Sequence, residues 1–92
     1  MADKVSVYVQ EVESVAAEHA VCVVRALEGT TSIGQVFNAF VDSTGDRASV
    51  SIRVDKIWRY GRETDILDPA HTARLEVSGS GLDRLRSSGV LT

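Results

Sequence analysis

The feature that most constrains this chain is its supply of β-branched residues. Of its 92 residues, 14 are valine, 4 isoleucine and 6 threonine, against 6 leucines and one methionine. Stiff β-branched side chains fit the pleated surface of a sheet better than they fit a helix. The chain therefore favours an all-β fold. Because a chain of this length can bury only one modest core, we expect a single domain over residues 1–92.

The order of apolar and polar residues indicates where the strands lie. Residues 48–55 alternate with the period of two that marks a half-buried strand, and residues 5–10 and 72–78 do the same. Val12 falls on the opposite phase from Val9, which predicts a β-bulge in the first strand. Six or seven short strands separated by turn signals predict a small antiparallel barrel that is closed or nearly closed.

The inward phase of these strands predicts the core, which we expect at Val7, Val23, Val50, Ile52, Leu75 and Val77. Residues 20–27 are apolar on both phases apart from Arg25. Such a strand is covered on both faces, or it packs outward against a loop or a partner. Near residues 81–87 we expect one short helical turn, capped by Ser80 and with Leu82 and Leu85 on one helical face. Residues 90–91 would then close the sheet.

Charge and cysteine content narrow the class of protein. The net charge is −3 and the pI about 5.2, values that argue against a dedicated nucleic-acid binder. Residues 1–46 carry two basic and seven acidic side chains, whereas residues 47–92 carry eight basic and six acidic ones. The single cysteine, Cys22, excludes an intramolecular disulfide, and its apolar neighbours predict an inert, buried thiol.

No segment predicts targeting or membrane insertion. The start of the chain lacks the apolar region of a signal peptide, and no apolar stretch approaches the roughly 18 residues of a membrane span. We therefore expect a cytoplasmic protein with no membrane contact.

No motif predicts a cofactor or a catalytic centre. His19 and Cys22 are too few ligands for zinc, and Gly79-Ser80-Gly81 lacks the third glycine of a dinucleotide fingerprint. A phosphate-binding loop is also missing, so we expect no nucleotide, metal or other cofactor. The carboxylate pairs at positions 11 and 13 and at 63 and 65 stand in polar stretches, where solvated pairs protecting a strand edge are common. We expect a protein that is not an enzyme; a hydrolase built on one of these pairs is the catalytic alternative.

The richest surface candidate is the segment Trp58-Arg59-Tyr60-Gly61-Arg62. Aromatic residues and arginines are enriched at interaction hot spots. Arg53 and Lys56 extend the segment into the one basic cluster of the chain, and aromatics beside arginines suit the stacking of nucleic-acid bases. The alternative is that Trp58 continues the inward phase of residues 48–54 and anchors the core, leaving the arginines solvated.

A family resemblance rests first on the segment after Arg25. Gly29-Thr30 and Ile33-Gly34 lie at the spacing found between two strands of the second-domain β-barrel of translational GTPases such as elongation factor Tu. The resemblance implies a tight turn at Gly34 that tolerates no side chain, while Ile33 plugs the barrel end.

The resemblance covers almost the whole chain. Residues 5–15 resemble the first strand of that barrel, and residues 70–91 its late strand, short helical turn and closing strand. Gln35 replaces the family's aspartate, and Ala70-His71 replaces its Gly-Asp pair. The family's GTPase domain is missing, and residues 16–19 stand in place of its glycine-rich basic loop.

In that family the barrel packs on a GTPase domain and contacts ribosomal RNA or the aminoacyl end of tRNA. The resemblance therefore implies a stand-alone, non-catalytic binding module that contacts a protein or, weakly, RNA or the ribosome. The candidate partner-binding residues are Arg53, Lys56, Trp58, Arg59, Tyr60, Arg62 and His71. The acidic pI favours an alternative, a structural or regulatory subunit that forms homo-oligomers, docks on another protein and binds no RNA.

Overall fold

Strands account for most of the computed structural model, which describes residues 4–92. They are β1 (Ser6–Val15), β2 (His19–Glu28), β3 (Thr31–Ser32), β4 (Val36–Val41), β5 (Arg47–Arg59), β6 (Arg62–Thr64), β7 (Ile66–Leu67), β8 (Thr72–Ser80) and β9 (Gly89–Leu91). The helical content of these residues is one short 3-10 helix, Leu82–Arg84. The all-β fold expected from the β-branched residues is confirmed.

Six strands form a closed antiparallel barrel in the order β4-β9-β1-β2-β8-β5, and the pairing of β4 with β5 completes the ring. The short β9 makes closure possible, since Leu91 lies opposite Val7 on one side and Phe40 on the other. β6 adds a seventh strand beside β5, and β3 and β7 form a separate two-stranded ribbon. Closure gives each of the six barrel strands a neighbour on both sides, which reduces the strand edge available for edge-to-edge association.

Two strands carry bulges. β1 shifts its register against β2 close to Val12, which confirms the bulge predicted there. β5 shifts its register against β8 between Val54 and Lys56, a bulge that the sequence analysis missed. This second shift reverses the phase of β5, so that Ile57 is buried while Trp58 faces outward and is half-buried. The interpretation of Trp58 as a core anchor is therefore wrong.

The core lies inside the barrel and contains five of the six residues predicted for it. Val7, Val50, Ile52, Leu75 and Val77 are buried, as expected.

The sixth prediction, Val23, is wrong. Both phases of β2 are apolar, but the buried phase belongs to Cys22 and Val24, so Val23 faces outward and is half-buried. Because the residues on both faces of β2 are apolar, hydrophobicity alone does not show which face points into the core.

Gly34 occupies the tight turn that the family resemblance implies. Its φ is +89°, and the Gln35 N–H donates to the Ser32 carbonyl oxygen at 3.0 Å, the geometry of a type II turn. A Cβ at this position would meet no atom within 4 Å, so the turn requires glycine for its backbone conformation and not for lack of space. Ile33 does not plug the barrel end, since it is 44% exposed; Thr31 and Leu67 are the buried residues of this region.

The helical turn lies within the predicted segment but is shorter, with both Leu82 and Leu85 buried. The predicted cap is wrong, because Ser80 pairs with Ser51 as the last residue of β8. Gly81 is the residue that precedes the helix, with no side-chain cap. Within residues 4–92, no helix has the length and apolar character needed to cross a bilayer.

Candidate partner-binding site

The hairpin between β5 and β6 presents the aromatic segment of the sequence. Arg59 pairs with Arg62, and the two residues between them, Tyr60 and Gly61, have φ values of +52° and +74°. Positive φ at both central residues is the geometry of a type I′ turn, whose first central position normally holds Asn, Asp or Gly. A tyrosine there is an outlier, because a bulky side chain disfavours the left-handed region. Tyr60 is also 93% exposed, so packing within the barrel does not offset this strain.

Arg59 lies partly beneath this tyrosine. Its guanidinium carbon lies 5.2 Å from the centre of the Tyr60 ring, within the range of a cation–π contact. The side chain is half-buried, and its Nε is enclosed without an acceptor among the described residues. Arg59 therefore holds one side of the Tyr60 ring and still has an unused donor.

A shallow groove of about 470 Å³ connects the hairpin to the start of β8. We call it the hairpin groove. Its lining residues are Val23, Trp58, Arg59, Tyr60, Ala70, His71, Thr72, Ala73 and Arg74. The structure thus brings together four of the seven candidate residues, including His71, which is far from the aromatic segment in sequence.

Strand register explains how the groove forms. Val23 of β2, Arg74 of β8 and Trp58 of β5 are directly paired neighbours on the outer face of the barrel. The Trp58 indole Nε1–H donates to Glu76 Oε2 at 2.5 Å, which fixes the ring and uses its one polar group. Trp58 therefore offers an apolar surface to the groove. Ala70, at the rim, has a φ of +70°, so two of the three non-glycine residues with positive φ in the described chain line this groove.

Arg74 adds less charge to the groove than its position suggests. Its Nε and Nη2 donate to the two carboxylate oxygens of Glu13 on β1 at 2.5 and 3.1 Å. The Arg74 hydrogen bond, followed by its charge, lowers the pKa of Glu13, and Glu13 in turn raises the pKa of Arg74. The guanidinium is therefore neutralised by a bidentate partner.

The remaining basic candidates lie outside the groove lining. Arg53 pairs with Asp55 at 3.2 Å, and Lys56 pairs with Glu63 at 3.7 Å. Arg62 is exposed on β6 opposite Arg59. Among residues 4–92, neither Arg59 nor Arg62 forms an ion pair. The basic cluster of the sequence thus divides into two neutralised cations and two unpaired arginines at the hairpin.

Val23, Ala70, Thr72, Ala73 and Arg74 complete the groove and were absent from the sequence-based candidates. For Val23 a signal existed, since a strand that is apolar on both phases predicts an outward contact with a loop or a partner. For Arg74 none existed, because its place depends on the register of β8 against both β2 and β5.

The described residues offer few groups for chemistry. Burial, followed by the charge of Glu13, raises the pKa of the Cys22 thiol to about 12, so the reactive thiolate is scarce at neutral pH. Within residues 4–92, no three His, Cys, Asp or Glu side chains lie close enough to hold a metal ion. In the predicted carboxylate pairs, Glu13 is engaged by Arg74 and Glu63 by Lys56.

Comparison with known structures supports the fold. The translation elongation factor SelB of Methanococcus maripaludis, in its apo form, matches 96% of this chain with a TM-score of 0.77 and 10% sequence identity. The chain spans 18% of the length of that factor. Neither a protein-family model nor a curated protein sequence matches the chain. The likeness confirms the barrel of a translation factor as the fold expected from the Gly29-Thr30 and Ile33-Gly34 spacing.

Proposed function

We propose that this chain is a non-catalytic binding module that receives a protein or ribonucleoprotein partner in the hairpin groove. The observation that carries the proposal is the conformation of Tyr60. A left-handed φ costs a bulky residue about 1–3 kcal/mol, which glycine or asparagine would avoid at the same turn position. Because Tyr60 is almost fully exposed, a contact outside the barrel accounts for the tyrosine better than folding does.

The chemistry of the groove supports a partner that offers apolar contacts. Trp58 presents an apolar face, Val23 is half-buried on the same outer face, and Tyr60 stands beside them. Tyrosine, tryptophan and arginine are enriched at interaction hot spots, where the aromatic rings supply contact area and the guanidinium supplies several hydrogen-bond donors. Arg59 is the one arginine of the lining that forms no ion pair with the described residues.

A protein is the preferred partner and RNA the weaker one. Among residues 4–92, only Arg59 and Arg62 are cations at this hairpin without an ion-pair partner, and the chain carries a net charge of −3. Affinity for nucleic acid depends mainly on the number of phosphates neutralised, so two arginines would support weak binding. The likeness to a barrel of a translation elongation factor supports a ribonucleoprotein setting for that partner. We place the module in the cytoplasm, in keeping with its single, buried cysteine.

A second candidate function is a self-associating subunit that docks on another protein and binds no RNA. Its support is the exposure of Ile33 and Ile66, at 44% and 47%, beside and within the β3–β7 ribbon. Sedimentation equilibrium of the purified chain tests it. A monomer at all concentrations would exclude self-association, whereas a dimer weakened by Ile66→Lys would favour it.

The main experiment is site-specific photo-crosslinking in the cells that make the protein. A benzophenone amino acid at position 60 is compared with one at position 17, an exposed site in the β1–β2 loop outside the groove lining. We expect position 60, and not position 17, to yield one defined crosslinked protein or a set of ribosomal components. The crosslink should disappear with Trp58→Ala. Equal products from both positions, or none from position 60, would contradict the proposal.

A further inference from the structure

The end of the barrel opposite the hairpin groove carries a second set of unpaired cations. β5 begins at Arg47 and ends at Arg59, so these two arginines lie at opposite ends of one strand. Arg84 in the 3-10 helix and Arg86 just after it line the same depression as Arg47, with a volume of about 240 Å³. We call these three residues the arginine cluster. We infer that the arginine cluster binds a single oxyanion, the carboxylate or phosphate of an acidic or phosphorylated side chain on a protein partner.

The scaffold beneath the cluster is well packed. Leu82 and Leu85 are buried in the core on either side of Arg84, and the Leu85 N–H donates to the Leu82 carbonyl oxygen at 3.1 Å. Arg47 belongs to the paired part of β5, opposite Val41. Two segments that are distant in sequence, the start of β5 and residues 84–86, are therefore fixed by the core. They direct three guanidinium groups to one depression without an ion pair to any described carboxylate.

The cluster stays unpaired although two aspartates line the same depression. No carboxylate of the described residues lies within 4 Å of a nitrogen of Arg47, Arg84 or Arg86. Asp42 is occupied by its own turn, where its Oδ1 accepts from Thr44 N–H at 2.9 Å, Thr44 Oγ1–H at 2.6 Å and Asp46 N–H at 3.0 Å. The arginines therefore keep their donors for a ligand.

The pKa of Asp42 is consistent with this arrangement. The Thr44 side-chain hydrogen bond lowers it most, the backbone bonds from Thr44 and Asp46 contribute, and the charge of Arg86 adds a smaller effect. The charge of Arg86 thus lowers the pKa of Asp42, but the hydrogen bonds inside the turn hold the Asp42 carboxylate in place.

The mixed charge of the depression selects its occupant. Guanidinium groups match the planar carboxylate and the phosphate with paired N–H donors. A nucleic-acid backbone carries a charge on every residue, and Asp42 and Asp46 would repel the phosphates beside the one that is bound. A protein segment avoids this repulsion, because it places one anionic side chain on the arginines and a neutral or basic neighbour near the aspartates.

The test follows the arginine Nε–Hε resonances by NMR during titration with inorganic phosphate and, separately, with acetate. We expect saturable shifts at Arg47, Arg84 and Arg86, with a Kd of about 1–10 mM for at least one of the two anions. Arg25 and Arg53 serve as internal controls and should show only small, linear drifts. The anion that saturates the cluster more tightly identifies a phosphorylated or a carboxylate side chain as the natural source.

Variants separate a site from a general salt effect. Arg84→Ala with Arg86→Ala should weaken phosphate or acetate binding at least tenfold while the amide spectrum of the core stays unchanged. Arg59→Ala with Arg62→Ala should leave the affinity of the arginine cluster for phosphate or acetate unaltered. Linear shifts of equal size at all arginines would overturn the proposal. The proposal would also be overturned if pentauridylate, an RNA of five uridines, bound the cluster more than tenfold tighter than phosphate, since the surface would then suit nucleic acid.

Discussion

The two ends of the barrel both present unpaired arginines, yet they embed them in opposite surroundings. At the hairpin groove, Arg59 stands between Trp58 and Tyr60, among apolar side chains. At the arginine cluster, aspartates and a hydrogen-bonded turn surround the cations, and aromatic contact is limited to Phe40. Aromatic area supplies binding energy that slows dissociation, whereas exposed charge mainly steers association and orients a partner. The comparison teaches that unpaired arginines can serve different steps of one binding event, depending on the side chains that surround them.

The hairpins at the two ends also differ, in how well their turns suit the residues that form them. In the β4–β5 hairpin, Asp42 accepts three hydrogen bonds from its own turn, and Gly45 takes the left-handed conformation with φ +91°. In the β5–β6 hairpin, Tyr60 takes a left-handed conformation that suits its side chain poorly. One turn satisfies its local preferences and the other violates them. Such a violation is expected where the chain is shaped for contact with another molecule.

The largest effect should come from removing a core side chain that supports both ends. Leu75 is fully buried in β8, which pairs with β2 and β5, and Leu75→Ala should cost about 2–5 kcal/mol. Because a domain of this size has roughly 5–10 kcal/mol of stability in all, both sites should be lost together near physiological temperature. Urea unfolding measures the change.

Two adjacent valines of β2 provide the matched control. Val24→Ala removes a fully buried side chain, whereas Val23→Ala removes one from the floor of the hairpin groove. We expect Val24→Ala to cost at least about 1 kcal/mol more than Val23→Ala. Equal costs would mean that the faces of β2 are assigned incorrectly, and with them the groove.

The next effect has the opposite sign and concerns the strained hairpin. Tyr60→Asn should raise the free energy of unfolding by about 1 kcal/mol, because asparagine tolerates the left-handed region. The same variant should lose the crosslinking partner of position 60, tested with the benzophenone moved to position 72, an exposed site in the same groove. Tyr60→Phe is the control that keeps the ring, and it should retain both the strain and the partner. A destabilised Tyr60→Asn would show that the ring supports the fold.

At the other hairpin, the corresponding substitution should destabilise. The hydrogen bonds of its turn lower the pKa of Asp42 in the folded chain, so the ionised form stabilises the fold. This contribution is present above the unfolded pKa of about 3.9 and disappears as the pH falls through the lower folded value. Asp42→Ala should therefore lower the Tm at pH 7 and flatten the loss of stability between neutral and acidic pH. An unchanged acid limb in thermal melts from pH 7 to pH 2 would contradict this assignment.

The sequence predicted the barrel well and the sites only in part, for reasons that concern register. Alternation located β5, and a single inserted residue near Asp55 then reversed its phase and moved Trp58 to the surface. The pattern Asp55-Lys56-Ile57 contains that slip, since an apolar residue follows two polar ones. The Arg74–Glu13 pair bridges residues 61 positions apart. Nothing local predicts such a contact, and the arginine cluster, formed from segments that are also distant in sequence, was missed for the same reason.

The smallest effect expected is binding to RNA, and it offers the most direct contrast between the two ends. With Arg53 and Lys56 in ion pairs, Arg59 and Arg62 can neutralise two phosphates, so the slope of log K against log salt for single-stranded RNA should be no steeper than about −1.4. Replacing both arginines with alanine should remove most of this weak binding without unfolding the barrel, since both lie outside the core.

Substituting Arg84 and Arg86 with alanine provides the comparison, because it removes the same charge from the aspartate-lined end. We expect that variant to retain most of the RNA affinity, measured by fluorescence anisotropy at low salt. If both double variants weaken binding equally, net charge controls it and the two ends are equivalent toward RNA. Binding that survives the loss of Arg59 and Arg62 would place an RNA site elsewhere. If the unmodified chain binds no RNA at low salt, a protein is the partner that fits the hairpin groove. Its aromatic residues can stack on bases, but without cations they do not neutralise phosphates.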